Sequence, residues 1–432
     1  MTTSGPYTRF PPTPTPPRPL RELCALEPAP SGRARHVCLL RICTAEDAPA
    51  LRVLPPGLAT AAARWYLPGM AAERPLAWYV TPHGNGHAVR TCDVVRAFNT
   101  LFPEVPVALV ARHPEVFLRH RVPSPSTTIR HDGFDTGLVQ HDSVRSDTGA
   151  SLRAARDLVA RRGELVAREV AWLREARAGG VVCDIPAIPL EAARDAGIPA
   201  LATGNFSWNW IYEHMAPADP AWEPVAEAFR EGYACCDLLL RMPFHEPMRA
   251  FPRIEDIPVV ATPGRARRDE MAARTGCDPA ARWVLLSFST LHWDADALRR
   301  LSAMEDHAFF TVRPLEWKAP RFHAVDRHEF PFCDVLASCD AVLTKPGFGI
   351  VSECVVNRKP VVFAERPEWP ESAPLVEGIR RFGRGAPLSL EQLYAGDVRG
   401  ALDAAVSAPP PAETAPAGGA EVAARRIRSF LP

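Results

Sequence analysis

The sequence predicts an α/β protein built from two doubly wound parallel sheets in tandem. Short apolar segments of strand length alternate with segments of helical periodicity, which is the pattern of a parallel sheet covered by helices on both faces. The alternation stops near residues 251–280 and then restarts. A length of 432 residues, 47% of them hydrophobic, is enough for two to three domains with separate cores.

The first half of the alternation begins with LAWYVTP at residues 76–82, which predicts a buried strand. A Gly-rich turn follows. The remaining elements predicted in this half are helix 87–102, strand 105–112, helix 114–121, one long amphipathic helix over 149–178, strand 180–186, helix 189–197 and strand 198–206.

The second half restarts at RWVLLSFST, residues 282–290, which predicts another buried strand. Helix 294–304, strand 307–314, a helix–strand–turn–helix–strand run over 333–364 and a terminal helix over 418–431 follow. We therefore predict a first Rossmann-like domain over 71–255, a linker over 256–280, a second Rossmann-like domain over 281–407 and a terminal helix over 417–432.

Residues 1–70 are predicted to be an extension outside these domains. Residues 1–35 are Pro-rich without periodicity and are expected to be disordered or extended. Met70 lies just before the first strand, so a later natural start is an alternative. The extension lacks an apolar leader, and no run of about 18 apolar residues is present, so we expect neither a secretory signal nor a transmembrane helix.

Charge and cysteine usage narrow the class of partner and the compartment. The 50 basic and 50 acidic side chains cancel, which removes the bulk electrostatic argument for binding nucleic acid or an anionic membrane. The 11 cysteines contain no C-x-x-C pair and no zinc-ligand spacing. We expect a cytoplasmic protein without a metal site or a nucleic-acid partner.

The first informative motif, TPHGNGHAVR at residues 81–90, lies between the first strand and the first helix. Open α/β sheets bind ligands at such junctions. Gly84 and Gly86 allow a ligand to approach the backbone closely, and neither a G-x-G-x-x-G nor a P-loop pattern is present. His83 and His87 flank the glycines and are candidate general bases, although one of them could merely cap the helix.

The second motif, TKPGFGIVSE at residues 344–353, occupies the matching junction of the second half. Gly347 and Gly349 open the turn, and Ser352 and Glu353 are expected on the first helical turn. A carboxylate there can accept hydrogen bonds from ribose hydroxyls while the helix start faces a diphosphate, with Lys345 as an added charge. The alternative is an ordinary helix start whose acidic residue complements the helix dipole.

Together the two motifs resemble those of a GT-B glycosyltransferase-like family that includes the N-terminal domain of L-arabinokinase and bacterial stand-alone relatives. The resemblance covers roughly residues 76–405 and rests on YVTPHGNGHAVR, GLVQHDSVRSD, VVCDIPAIP, GIPALATGNFSWNWIY, LLLRMPFHEPM and TKPGFGIVSECVVNRKPVVF. A more distant resemblance is to the peptidoglycan N-acetylglucosaminyltransferase, which has a Gly-rich loop ending in His and a Gly-x-x-x-x-Ser-Glu segment.

These resemblances imply a GT-B fold with His87 as the catalytic-loop histidine and Glu353 as the ribose-binding carboxylate. Pro82 and His83 stand where the transferase has glycines, so which histidine faces the acceptor stays open. The kinase part of arabinokinase is not covered, since no G-L-S-S-S-type phosphate loop occurs, and sugar-kinase activity is not predicted.

Further polar residues follow strands and are expected in the same cleft. Asp184 ends a buried strand, where a carboxylate is costly unless it serves a ligand or caps a loop, and we place it with the catalytic histidines. The expected donor-side residues are Ser287, Ser289, Thr290, Arg241, Arg366 and Glu371. The expected acceptor-side residues are Gln140, Asp142, Asn205, Ser207 and Trp208, the last as a sugar platform.

The predicted function is transfer of a sugar from a nucleotide-diphospho-sugar to a small-molecule or glycolipid acceptor. A histidine general base would deprotonate the acceptor, with the nucleotide-sugar as co-substrate and with no other cofactor and no metal. Two alternatives stay open. One is a nucleotide-sugar 2-epimerase of the same fold, and the other is a non-catalytic protein that binds nucleotide-sugars.

Overall fold

The computed structural model describes residues 73–366 and 369–431. The extension predicted at residues 1–70, with its Pro-rich tail and the alternative start at Met70, lies outside the described residues. None of the helices within the described ranges is both long enough and apolar enough to cross a membrane.

The first sheet has seven parallel strands in the order β3-β2-β1-β4-β5-β6-β7. The chain order reverses direction between β1 and β4, and ligands of open α/β sheets bind at the carboxyl ends of the strands beside such a reversal. The strands are β1 (Leu76–Val80), β2 (Val107–Val110), β3 (Thr127–Arg130), β4 (Gly180–Asp184), β5 (Ala200–Gly204), β6 (Leu238–Arg241) and β7 (Ile254–Asp256).

The second sheet has six parallel strands and repeats the arrangement, in the order β10-β9-β8-β11-β12-β13. Its reversal lies between β8 and β11. The strands are β8 (Arg282–Ser287), β9 (His307–Val312), β10 (Phe322–Val325), β11 (Ala341–Thr344), β12 (Val361–Ala364) and β13 (Gly385–Leu388). Two parallel sheets with this strand order confirm the predicted fold class.

Helices connect the strands. They are α1 (Asn85–Leu101), α2 (Glu115–Arg121), α3 (Thr148–Ala160), α4 (Arg162–Glu175), α5 (Ile188–Ala196), α6 (Trp208–Met215), α7 (Glu223–Tyr233), α8 (Arg268–Thr275), α9 (Ala295–Ser302), α10 (Phe332–Ser338), α11 (Phe348–Val356), α12 (Ser372–Phe382), α13 (Leu390–Ala395), α14 (Arg399–Ser407) and α15 (Gly419–Arg428).

The single helix predicted over 149–178 is wrong, because the chain forms α3 and α4 with a break at Arg161. The backbone of Arg161 departs from helical geometry, with φ −98° and ψ 3°. No proline is present here, but Gly163, a poor helix former, lies two residues after Arg161. In the fold α3 packs against α7 while α4 packs against α5, so the two helices also have different packing partners.

The segment predicted as a linker, residues 256–280, contains α8 and follows β7, which pairs with β6 at the edge of the first sheet. The terminal helix α15 packs against α1. The chain therefore returns to the first half after it has completed the second.

Apolar side chains cover both faces of each sheet. One cluster of buried residues runs through both halves and includes Tyr79 and Trp283. A second cluster, around Trp78 and Phe98, fills the other face of the first sheet, and a third, around Phe309, fills the other face of the second sheet. Burial on both faces explains why strands such as β1, β4 and β12 are continuous apolar runs rather than alternating ones.

Candidate active site

The two sequence motifs lie at the two strand-order reversals. The first begins at Thr81, directly after β1, and the backbone N–H of Thr81 donates to the carbonyl of Asp184 at the end of β4 (2.8 Å). The second begins at Thr344, the last residue of β11, whose Oγ1 donates to the carbonyl of Ser287 at the end of β8 (2.8 Å). Both motifs therefore stand where doubly wound sheets bind ligands.

In the first half, His87 of α1 pairs with Asp184 of β4. The distance between His87 Nδ1 and Asp184 Oδ1 is 2.8 Å. Arg90 lies one helical turn after His87 and donates to both carboxylate oxygens, from Nε to Oδ2 (2.8 Å) and from Nη2 to Oδ1 (2.6 Å). Thr91 Oγ1 also donates to Oδ2 (2.8 Å). Asp184 is fully buried and its charge is satisfied by these four donors.

These partners assign the protonation of both residues. Burial alone would raise the pKa of Asp184, but Arg90 and His87 outweigh it and hold the pKa well below its usual range. Burial, and then the charge of Arg90, lower the pKa of His87. His87 Nδ1 lies 2.8 Å from Asp184 Oδ1, which only accepts, and 3.1 Å from Arg90 Nη2, which only donates. Because the contact with the carboxylate is the shorter one, we assign the proton of neutral His87 to Nδ1. Nε2 then carries a lone pair, and it makes no hydrogen bond within residues 73–366 and 369–431.

Ring contacts connect His87 to the second half of the chain. Phe206, after β5, meets the His87 ring edge-on with the ring centroids 5.5 Å apart. The ring of Phe348, the first residue of α11, also stacks on Phe206, with the centroids 5.5 Å apart. A Cβ at Gly349 would lie 3.6 Å from the Cα of Gly86. The starts of α1 and α11 are therefore in contact.

Charged side chains gather beside the start of α11. Burial, followed by the charge of Arg366, lowers the pKa of Lys345 to about 8, while Glu371 opposes this shift. Burial raises the pKa of Glu371, and Lys345 and Arg366 oppose it. Arg366 is itself buried and packs its guanidinium over Trp369 at 4.1 Å. Two cations near a helix start, where backbone N–H groups are unpaired, favour an anionic ligand.

Glu353 lies further along α11 than the sequence suggested. The helix begins at Phe348, so Ser352 and Glu353 occupy its second turn, and the prediction of the first turn is wrong. Ser352 is buried. Burial raises the pKa of Glu353 to about 7, with Arg121 lowering it and Asp93 raising it. Arg121 and Asp93 belong to the first half, so this carboxyl lies near the junction of the two halves.

The raised pKa of Glu353 predicts a pH-dependent cost in stability. The folded state keeps the proton up to about pH 7, whereas an unfolded glutamate loses it near its ordinary value of 4.5, so stability is lost as the pH rises through this window. We expect Glu353→Gln to raise the free energy of unfolding at pH 8 by on the order of 1 kcal/mol and to change little at pH 5. Denaturant unfolding at both pH values measures this, with the exposed Glu104→Gln as control. An equal effect at the two pH values would contradict it.

A loop of the first half, residues 140–146, is inserted into the second half. Gln140 and Ser146 close it as an antiparallel bridge. Asp142 accepts from the hydroxyl of Tyr394 in α13 (3.0 Å) and from the Arg145 guanidinium. The Val144 side chain is buried in the apolar cluster of the second sheet. Asp142 thus joins the two halves and Gln140 closes the loop on itself, which differs from their predicted acceptor-side role.

The same loop covers the turn after β8 that we predicted to bind phosphate. Ser143 Oγ accepts hydrogen bonds from the backbone N–H groups of Ser289 (3.0 Å) and Thr290 (2.9 Å). The Ser143 N–H in turn donates to the Thr290 carbonyl (3.3 Å). An oxygen that accepts from two successive N–H groups has the position that an oxygen of a phosphate takes in such turns.

These contacts predict how the turn after β8 exchanges its amide hydrogens. Ser143→Ala removes the acceptor of two N–H groups, and one hydrogen bond is worth about 0.5–1.5 kcal/mol. We therefore expect amide exchange at Ser289 and Thr290 to accelerate roughly three- to tenfold or more. Hydrogen–deuterium exchange measures this. Ser146→Ala is the matched control, because the buried Ser146 hydroxyl has no hydrogen-bond partner in the described residues; equal exchange in both variants would contradict the prediction.

Several residues predicted in the cleft have other roles, and these expectations are corrected. Trp208 is 1% exposed and therefore cannot be a sugar platform. Both ends of the Asn205 amide are used internally, by Arg90 and by the Pro243 carbonyl. Ser207 Oγ donates to the buried Glu246 (2.7 Å). Arg241 forms a two-pronged ion pair with Asp256, at 2.6 and 3.1 Å, so its predicted phosphate contact would require this pair to open.

The glycines of the two motifs differ in what they provide. Gly84 has φ +71°, the left-handed region that favours glycine. Gly347, with φ −154°, has extended backbone that any residue adopts. A positive φ therefore favours glycine at Gly84 of the first turn, whereas a Cβ at Gly349 would make an ordinary van der Waals contact with Gly86.

Sequence reasoning missed four residues that organise the site: Arg90, Asp135, Ser143 and Tyr394. The role of Arg90 could have been predicted, because it follows His87 by three residues on a predicted helix and therefore lies on the same helix face. Asp135, which is buried between Thr81 and Trp208, lies in a loop without periodicity. Ser143 and Tyr394 act through contacts between distant parts of the chain, which a single sequence does not reveal.

Comparison with known proteins gives one curated relative and many solved structures. No family model matches the chain. L-Arabinokinase of Arabidopsis thaliana is 31% identical over 356 residues, which are 82% of this chain. The chain spans only about a third, 34%, of the length of that relative.

The solved structures are similar in fold. The glycosyltransferase of kitacinnamycin matches with a TM-score of 0.57 and 18% identity, over 83% of this chain and 100% of the other. The calicheamicin glycosyltransferase CalG4 matches with a TM-score of 0.51 and 16% identity, over 83% and 94%. UGT2 of Phytolacca americana, in complex with UDP-2-fluoro-glucose and pterostilbene, matches with a TM-score of 0.51 and 14% identity, over 82% and 94%. These likenesses show that the chain has the GT-B fold.

Proposed function

We propose that this chain, which has the GT-B fold and is homologous to a part of L-arabinokinase, transfers a sugar from a nucleotide-diphospho-sugar to an acceptor hydroxyl or amine. The observation that carries the proposal is the His87–Asp184 pair at the first strand-order reversal, connected by Phe206 and Phe348 to the start of α11 at the second. A base and an anion-binding helix start are thereby brought together at the carboxyl ends of two sheets.

In the proposed reaction, His87 is the general base. Asp184 holds the proton of the neutral imidazole on Nδ1, so the lone pair of Nε2 is available to the acceptor. The acceptor proton moves to Nε2 as the acceptor oxygen or nitrogen bonds to C1 of the sugar. The bond from C1 to the diphosphate oxygen breaks, and its electron pair leaves with the nucleoside diphosphate. Asp184 stabilises the imidazolium that forms, as the acidic residue of a catalytic triad does.

The second half is proposed to bind the donor. Lys345, Arg366 and the N–H groups at the start of α11 would neutralise the diphosphate as it departs, which requires no metal ion. Glu353 would accept hydrogen bonds from the ribose hydroxyls, and Glu371 would accept hydrogen bonds from the hydroxyls of the transferred sugar. One of the similar structures, UGT2 of Phytolacca americana, is a complex with UDP-2-fluoro-glucose, which supports a UDP-sugar as the first donor to test.

A sugar kinase is the second candidate, since the curated relative is named as one. The chain spans a third of that relative, and its 432 residues contain neither a G-x-x-x-x-G-K-[ST] phosphate loop nor a G-L-S-S-S segment.

Thermal unfolding with a panel of ligands tests the donor class. UDP-, GDP- and dTDP-sugars should each be compared with ATP and with L-arabinose. A ligand at 100 times its dissociation constant adds about 2.7 kcal/mol to the free energy of unfolding. We expect at least one nucleotide-sugar to stabilise the protein. Stabilisation by ATP alone would favour the kinase.

A further inference from the structure

The imidazole of His83 is enclosed by Gly137, Leu138 and Trp208 of the first half, which together are called the His83 cage. The backbone N–H of Leu138 donates to His83 Nδ1 (3.2 Å). Gly137 packs against the ring so closely that a Cβ there would lie 2.5 Å from Nδ1. On another side, the Trp208 ring meets the imidazole edge-on, with the centroids 5.1 Å apart. The backbone N–H of His83 donates to Thr81 Oγ1 (3.2 Å), so both the ring and its backbone are held.

Asp135 holds two of the residues that contact His83. Its carboxyl accepts from Thr81 Oγ1 (2.8 Å) and from Trp208 Nε1 (3.0 Å), the two residues that contact the backbone and the ring of His83. Asp135 is 2% exposed, and burial raises its pKa to about 7. Burying a carboxyl is costly, so its use here indicates that the position of the His83 ring matters.

The cage determines which ring nitrogen of His83 carries the proton. A backbone N–H only donates, so Nδ1 must be the acceptor and the proton of neutral His83 is on Nε2. Burial, followed by the charges of Lys345, His87 and Arg366, lowers the pKa of His83 to about 3, so the ring is neutral near physiological pH. The two histidines of the motif are thus opposite tautomers: His87 presents a lone pair at Nε2, and His83 presents an N–H.

The Nε2–H of His83 has no hydrogen-bond acceptor among the described residues. The charges that act on its ring include Lys345 and Arg366, the cations beside the start of α11. A rigidly held N–H near two cations suits an anionic oxygen. Its neutral ring could not supply a base at Nε2, because that atom already holds the proton.

We propose that His83 is a catalytic hydrogen-bond donor, whose Nε2–H binds an oxygen of the departing diphosphate while His87 takes the acceptor proton. No proton leaves His83: the hydrogen bond strengthens as the electron pair of the broken C1–O bond moves onto the diphosphate. This inference rests on the proposed function and assigns a separate role to the second histidine. Asp135 is then a positioning residue that acts through Thr81 and Trp208.

Two substitutions of His83 test the role. His83→Gln keeps an amide N–H at the end of a side chain of similar length, whereas His83→Phe keeps a flat ring without a donor. We expect His83→Phe to lower kcat by about 10²–10³, the usual effect of removing one donor to a developing negative charge, and His83→Gln to restore most of it. The acidic limb of the pH profile of kcat should be the same in both variants, because it belongs to His87.

Binding measurements separate this inference from the proposed function. Wild-type protein should bind UDP more tightly than uridine. In His83→Phe, the ratio of the dissociation constants of uridine and UDP should be about tenfold smaller than in wild type, while the variant still folds cooperatively. ¹⁵N NMR of histidine-labelled protein should show His83 protonated at Nε2. Three results would each overturn the inference. They are loss of the acidic limb in His83→Gln, a proton on Nδ1 of His83, and a kcat of His83→Phe equal to that of wild type. Wild-type protein that binds no nucleotide would overturn the proposed function itself.

Discussion

His87→Ala should lower turnover by about 10²–10⁴ while donor binding survives. The size is that of a lost general base. Donor affinity should persist because the proposed donor contacts, at Lys345, Glu353 and Arg366, belong to the second half. Steady-state kinetics give kcat, and calorimetric titration with the nucleotide-sugar gives the dissociation constant. Replacing the exposed His120 of α2 by Ala is the matched control and should leave both quantities unchanged.

The pH profile adds an independent signature of His87. Its pKa is lowered by burial and by Arg90, and the base is competent only when it is neutral, so activity should persist below the ordinary histidine pKa of 6.5 before it falls. The acidic limb of kcat should therefore lie below about pH 6.5 and should disappear in His87→Ala. Near-native turnover in His87→Ala would contradict the assignment.

Glu353→Ala should weaken donor binding by roughly ten- to over a hundredfold, since a hydrogen bond to a charged group is worth about 1.5–3 kcal/mol. At saturating donor, kcat should change much less, because the ribose is remote from the breaking bond. Because the pKa of Glu353 is about 7, its carboxylate forms as the pH rises through 7. Wild-type affinity for the donor should therefore increase over this pH range, since the carboxylate accepts hydrogen bonds from the hydroxyls.

Calorimetric titration of UDP-, GDP- and dTDP-sugars at pH 6 and pH 8 measures this effect. Glu377→Ala, an exposed glutamate on α12, is the matched control and should bind the donor as wild type does. Unchanged affinity in Glu353→Ala for every nucleotide-sugar tested would remove Glu353 from the donor site.

Strands such as β1, β4 and β8 could be predicted because burial on two faces makes them continuous apolar runs. Their order also placed His87, Asp184 and Lys345 near strand ends. The short strands β3, β7, β10 and β13 were not predicted. The break at Arg161 was not predicted, because Gly163 is only a weak local signal for it and the different helices that pack against α3 and α4 are seen only in the fold.

The roles of individual side chains were harder to predict than their positions. Trp208 follows a strand end as a sugar platform would, but only the fold shows that its ring is buried and its Nε1 donates to Asp135. The sequence likewise left open which of His83 and His87 faces the acceptor as the base. Their partners, Leu138 N–H and Asp184, distinguish them, and the first of these contacts spans 55 residues.

Product analysis tests the central claim, sugar transfer with His87 as base, most directly. Full-length protein is incubated with a nucleotide-sugar that stabilises it and with a panel of hydroxyl and amine acceptors, with and without EDTA, beside the His87→Ala variant. Mass spectrometry should detect an acceptor that has gained one sugar, with an equal amount of nucleoside diphosphate, in both wild-type samples and at least a hundredfold less with His87→Ala. A C2 epimer formed without acceptor, phosphorylation of free sugar by ATP, or binding without any turnover would contradict the account.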